Sequence, residues 1–254
     1  MKSIPTDIAR TLTARFPGVQ DTALYSALQG HMGRVLGSEQ PPLDFVYANC
    51  GEYHYFGGNP DHPQAEALIR SLPAGAYLVS FEEVWKALFT RLLAGRHEVQ
   101  ERYMLQKNMD ALDEKKLEGF FSAVPEGFRL VAMDGPLFRR VLPLPWAHEY
   151  LEQYASEEDF CKQGFGFALL QGEEAACIAP AFSVFDEGIE VGIATNPAFR
   201  KLGLATVCAA RLVYEAKRRG LLANWDAANK LSLHLAMKLG YAYEGTYTVH
   251  HLLS

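Results

Sequence analysis

The stretch Thr195-Asn196-Pro197-Ala198-Phe199-Arg200-Lys201-Leu202-Gly203-Leu204-Ala205 (TNPAFRKLGLA) joins a strand-like run to the best helical run in the chain. A bare helix start needs no Arg-Lys-x-Gly-x-Ala. A loop that must bring backbone N–H groups close to a phosphate does. The first turn of a helix carries N–H groups without intrahelical partners, and the helix dipole adds partial positive charge there. The ligand can approach only where side chains are small, which Gly203 and Ala205 allow, while Arg200 and Lys201 supply cations. Residues 200–219 hold six Lys/Arg against one acid, Glu215. The last three of these cations favour the helix C-terminus in any case, so Arg200 and Lys201 carry the signal.

Two familiar phosphate loops are absent. No GxxxxGK[ST] run exists, and Gly203 has no glycine partner at GxGxxG spacing. Before the loop, Ile189 to Thr195 (IEVGIAT) reads as a strand. After it, Leu202 to Arg219 places apolar or small residues at 205, 208, 209, 212, 213 and 216, an amphipathic stripe closed by Gly220. LANWDA follows as a short buried strand. Lys230 to Leu239 follows as a helix with Leu231, Leu235 and Leu239 on one face, entered at Asn229 and ended by Gly240.

This order resembles the GCN5-related N-acetyltransferase (GNAT) superfamily. Arg200, Gly203 and Ala205 occupy the positions of its R/Q-x-x-G-x-G/A signature, and Asn229 with Gly240-Tyr241 matches its downstream Asn…Gly-Phe pattern. The wording from EDF to KLGY is similar to the zwittermicin-A-resistance-type subgroup. The resemblance covers residues 126–254. It implies an α/β (α+β) fold, with a mixed, mostly antiparallel sheet whose central strands splay, preceded by a smaller α/β amino-terminal domain at 1–125. It implies acetyl-CoA as cofactor. The Ile193, Ala194 and Thr195 backbone would hold the pantetheine arm. Arg200, Lys201, Leu202, Gly203, Leu204 and Ala205 would hold the pyrophosphate, and Asn229 would bond the arm, with Ser232 one turn later on the same side. Glu190 sits where many members carry a general base, and the alternative is a rim or salt-bridge residue. The family's acid Tyr falls at Ala236, which has no acidic proton; Tyr241, Tyr243 and Tyr247 remain as donors without a choice among them.

The expected activity is acetyl transfer to the primary amine of a small molecule, by direct attack in a ternary complex. A protein or peptide acceptor and a non-catalytic acyl-CoA-binding module are the alternatives. Net charge −6 speaks against general nucleic-acid or anionic-membrane binding. No run reaches the ~18 apolar residues of a membrane span, and the start has no apolar signal core, so a cytoplasmic protein is expected. The 4 cysteines are widely spaced and read as reduced thiols, Cys208 as core. His250-His251 lack partners at ligand spacing, so no metal site is expected.

Upstream, the first forty residues read as helical from Ile8, Leu12 and Phe16, with a break at Gly37 to Pro42. Residues 43–106 alternate strand, helix, strand, helix, strand. FEEVWKALFTRLL reads as a helix with Val84, Leu88 and Leu92 on its stripe, and Tyr53 to Phe56 as a core strand. This half is expected either to be a degenerate GNAT-like repeat or to shape acceptor specificity, without binding the cofactor.

Overall fold

The computed structural model describes residues 1–38 and 43–253. The expected break at Gly37 to Pro42 falls mainly on residues 39–42, outside the described residues. The fold is mixed α/β with two mostly antiparallel sheets. Two compact units form: residues 1–102 with 246–254, and residues 103–245. The expected boundary near 125 lies between α5 (Glu114–Ser122) and β7 (Phe128–Ala132).

The first unit runs β1 (Lys2–Ser3), α1 (Thr6–Ala9), α2 (Thr22–Gln29), β2 (Arg34–Gly37), β3 (Phe45–Cys50), β4 (Tyr53–Gly58), α3 (Pro63–Ser71), β5 (Tyr77–Val79) and α4 (Glu83–Leu92) into β6 (His97–Leu105). Strands β1 to β5 lie side by side in chain order. Each pair is antiparallel except β4–β5, where Tyr53 faces Tyr77 in parallel register. A parallel neighbour requires a crossover, and α3 supplies it. Phe45, Tyr47 and Phe56 alternate onto one sheet face and meet Trp85 and Phe89 of α4, with Phe56 and Phe89 rings 5.0 Å apart. The α4 stripe therefore runs through Trp85, Leu88, Phe89 and Leu92; Val84, expected on it, is 57% exposed. The opening helix is also shorter than its periodicity suggests. It stops at Ala9, so Ile8 is exposed, and Leu12 and Phe16 are buried from the turns that follow.

The second unit continues with α5 and β7, then α6 (Gly135–Val141), α7 (Glu157–Gln163), β8 (Gly166–Gln171), β9 (Glu174–Phe185), β10 (Gly188–Val191), β11 (Ala194–Thr195), α8 (Leu204–Arg218), β12 (Leu222–Asn224), β13 (Asp226–Ala227) and α9 (Lys230–Leu239). The last strand, β14 (Tyr243–Leu252), ends in the first unit, where His250 pairs with Leu78. Strands β7, β8, β9, β10 and β12 lie in that order, antiparallel except for the parallel pair β10–β12, whose crossover is α8. This is the strand order and sense of β1 to β5. In both units two helices separate the first two strands and one helix separates the last two. Helix α8 packs its stripe of Cys208, Ala209, Leu212, Val213 and Ala216 inward, all fully buried. In α9 the inner face is Ala236 and Leu239, whereas Leu231, expected on it, is 82% exposed.

Candidate active site

Strands β10 and β12 pair over three positions, Gly188 with Leu222, Ile189 with Ala223 and Glu190 with Asn224. There the pairing stops. The register of β10 against β9 shifts between Glu190 and Val191, a bulge of the kind that re-aims a strand. On the other side, Trp225 interrupts the expected LANWDA strand, and Asp226 pairs instead with Met104 of β6. The two strands therefore part immediately beyond Glu190 and Asn224. Glu190 spans the opening. Its Oε2 accepts from Asn224 Nδ2 at 2.5 Å and its Oε1 from the Asp226 backbone N–H at 2.7 Å. A carboxylate only 8% exposed must be hydrogen-bonded to be tolerated, and these two donors meet that need.

Beyond the opening the chain makes β11, which pairs with Cys177 and Ile178 of β9 on one edge. The other edge of Ala194–Thr195 has no strand partner among the described residues, which leaves main-chain groups of the Ile193 to Thr195 segment on the side of the splay. The space beside Gly192 is filled. A Cβ there would lie 3.2 Å from the Tyr150 ring and from the Pro180 carbonyl oxygen.

The loop that follows is built by its own residues. Asn196 Oδ1 accepts from Ala198 N at 3.1 Å, and Pro197 to Phe199 form a single 3-10 turn. Lys201 sits at φ 66, the one positive-φ residue other than glycine among those described. Such a backbone costs about 1 kcal/mol or more and persists where surrounding structure imposes it. Gly203, at φ 79, is the N-cap of α8, which has no side-chain cap, and a Cβ added there would meet nothing within 4 Å. Arg200, Lys201, Leu202 and Gly203 are exposed, while Leu204 is 1% exposed and anchors the helix start. Arg200 and Lys201 form no ion pair among the described residues. Three later cations are committed: Arg211 and Arg219 pair with Glu215, and Lys217 donates to the carbonyls of Met109 and Leu112. An uncapped helix N-terminus, an open cradle and two uncommitted cations suit a phosphate.

Asn229 caps α9, its Oδ1 accepting from Ser232 N at 3.0 Å, and Ser232 Oγ accepts from Trp225 Nε1 at 3.0 Å. The expected acid position, Ala236, is fully buried, and its carbonyl accepts from the backbone of Gly240 and Tyr241. Tyr241 donates to the Ala223 carbonyl at 2.8 Å. Burial, and then the charge of Glu190, push its phenol far above the ordinary range, and its proton is committed to that carbonyl. Tyr247 is stacked on Phe81 at 5.2 Å, and Tyr243 is 46% exposed. Cys208 is fully buried with its thiol pushed up by burial, a core residue as its place on the stripe suggested. No group of three His, Cys, Asp or Glu able to hold a metal occurs among the described residues.

A family model for GNAT acetyltransferases matches residues 13–250. The chain belongs to the GNAT acetyltransferase family. Members of the family generally use acetyl-CoA as acyl donor. Over 130 residues the chain is 29% identical to YdfB, an uncharacterized N-acetyltransferase of Bacillus subtilis (strain 168); the match spans 50% of this chain and 49% of that one. The chain thus matches about half the length of this curated relative. A GCN5-related N-acetyltransferase-like protein from Streptococcus suis 89/1591 has a crystal structure similar over 98% of this chain and 100% of its own, with TM-score 0.89 and 25% identity. A GCN5-related N-acetyltransferase from Kribbella flavida shares the fold at TM-score 0.59 and 16% identity, over 100% of this chain and 97% of its own. The GNAT match includes most of the first unit, which the motif-based resemblance left out.

Sequence reasoning did not find Asn224 or the Asp226 N–H. Both lie in LANWDA, read as a short buried strand, where the one available signal was a polar residue inside a buried run.

Proposed function

We propose that the protein transfers an acetyl group from acetyl-CoA to the primary amine of a small molecule, within a ternary complex. The observation that carries this reading is the splay at Glu190 and Asn224, one short strand upstream of an open, cation-bearing helix start. Arg200, Lys201 and the first N–H groups of α8 would hold the pyrophosphate, the free edge at Ile193 to Thr195 the pantetheine arm, and Asn229 the arm through its amide Nδ2. The bound coenzyme supplies an activated acetyl thioester.

An alkyl amine with a pKa of roughly 10.4 is protonated at neutral pH and cannot attack until it loses a proton. Glu190 is the buried carboxylate at the opening and takes that proton as general base. The nitrogen then attacks the thioester carbonyl, the C–S bond breaks to release coenzyme A as the thiolate, and the second N–H proton passes to that thiolate or to solvent. Ala236 and Tyr241 offer no acid for that last step. A thiolate is a tolerable leaving group without one. The same feature keeps a second reading in view, a non-catalytic acyl-CoA-binding module.

The first unit is read as a degenerate copy. Its strand order repeats that of the second unit, but Tyr55, paired with Ala48 and Val79, stands where Glu190 pairs with Ser183 and Asn224. Its Asn59-Pro60 turn is followed by Asp61 where the second unit's Asn196-Pro197 turn leads to Arg200 and Lys201, and the start of α3 is capped by His62, which accepts from Gln64 N. One coenzyme per chain is therefore expected by calorimetric titration; two would end this reading of the first unit. For the activity, incubation with acetyl-CoA and a panel of amines and basic peptides should release free thiol with a small amine. Binding without turnover across the panel would establish the sensor reading, and turnover only with peptides would move the acceptor class.

A further inference from the structure

The buried polar or charged residues of the second unit, among those described, are Ser183, Glu190 and Asn224. They form one row. Ser183 on β9 pairs with Glu190 on β10, and Glu190 pairs with Asn224 on β12. Directly paired residues project from the same face of a sheet, so all three side chains share one face of the splay. Ser183 is 0% exposed and its hydroxyl has no hydrogen-bond partner among the described residues. A buried hydroxyl left unmade costs free energy, and one kept beside a buried carboxylate calls for a reason.

Both bonds described at Glu190 are received by its oxygens, from Asn224 Nδ2 and Asp226 N. They suit the charged form. Once the carboxylate takes a proton it carries an O–H, which needs an acceptor, and an amide N–H cannot serve. A serine hydroxyl can accept. We propose that Ser183 is a positioning residue for the base: its Oγ accepts the O–H of Glu190 in the protonated state and so stabilises the carboxyl that forms as the acceptor amine is deprotonated. The proton passes from the ammonium to the Glu190 oxygen, is held there against Ser183, and returns to solvent after product leaves. This inference rests on Glu190 acting as the base.

The test is a double-mutant cycle that needs no substrate. Glu190→Gln mimics the neutral acid, with its amide N–H₂ in place of the O–H. Ser183→Ala in the wild-type background should leave the melting temperature unchanged or raised, because it removes an unpaired hydroxyl. In the Glu190→Gln background the same change should lower it. Additive effects overturn the proposal, as does a coupling of Glu190→Gln to Asn224→Ala alone, which would place the acceptor on Asn224. With an amine that turns over, Ser183→Ala should lower kcat by about 10-fold or more with the KM for acetyl-CoA unchanged, and Ser183→Thr should restore most of it. Wild-type kcat in Ser183→Ala, beside an inactive Glu190→Gln, also overturns it. Full activity in Glu190→Gln would instead remove the base itself.

Discussion

Gly203→Ala separates what the loop does for the fold from what it does for the ligand. Gly203 has φ 79, and an added Cβ meets nothing within 4 Å. The methyl group therefore clashes with none of the described residues of the free protein. Its cost is the left-handed backbone, about 1 kcal/mol for a residue with a Cβ. For a chain of this size that lowers the melting temperature by about 2–4 °C, leaving the protein folded at assay temperature. Binding should suffer far more. A phosphate oxygen bonded to an N–H of the first turn sits about 2.9 Å from the nitrogen, and a methyl group over those donors excludes it from that distance. Hydrogen bonds to charged groups are worth about 1.5–3 kcal/mol each, so the loss of one weakens coenzyme A by about 10- to 100-fold. Differential scanning calorimetry and isothermal titration measure the two effects on the same sample. A variant with the expected small drop in melting temperature but wild-type affinity would refute the assignment of the pyrophosphate to this helix start.

Other outcomes follow from the same geometry. Ala236→Tyr, which installs the family's usual acid at a fully buried position, should overpack α9, lowering stability by about 1–3 kcal/mol with no gain in turnover; faster thiol release would show that the phenol reaches the site. In the first unit, burial and then the Arg34 charge push His54 down to about 4, while its Nδ1 lies 2.6 Å from the Tyr47 hydroxyl. An unfolded histidine titrates near 6.5, so below that pH the unfolded chain binds a proton that the folded chain refuses. Stability is then lost as pH falls from about 6.5 to about 4, at up to about 1.4 kcal/mol per pH unit for this group. His54→Gln should make the fall in urea midpoint shallower over that window without abolishing it, because His250 is also pushed down to about 4; an unchanged slope would contradict the argument.

The second unit was legible where local chemistry and fold coincide. A Gly-bearing basic loop, a long amphipathic helix and an Asn-capped helix are local patterns, and α8 and α9 lie within a few residues of their expected spans. Helix faces were less legible. The stripe of α4 was placed one residue early at Val84 because Trp85 and Val84 are both apolar, and only packing against Phe45 and Phe56 decides between them. Glu190 could be placed at the strand, but not its partners. Asn224 and Asp226 meet it through a parallel pairing 34 and 36 residues away, which no local periodicity encodes. The repeat showed in the sequence only as the strand-helix alternation of residues 43–106, one of two readings of that half; the matching strand order and sense required the structure. The copies keep sheet topology while exchanging the residues that carry chemistry, as Tyr55 does for Glu190.

The central claim is that coenzyme A is held by the loop from Arg200 to Ala205. Isothermal titration of coenzyme A into the wild type and the Arg200→Ala/Gly203→Glu double variant tests it most directly, with circular dichroism confirming that both are folded. The account predicts binding of one coenzyme per wild-type chain and none to the double variant. Undiminished binding to the folded double variant would contradict it.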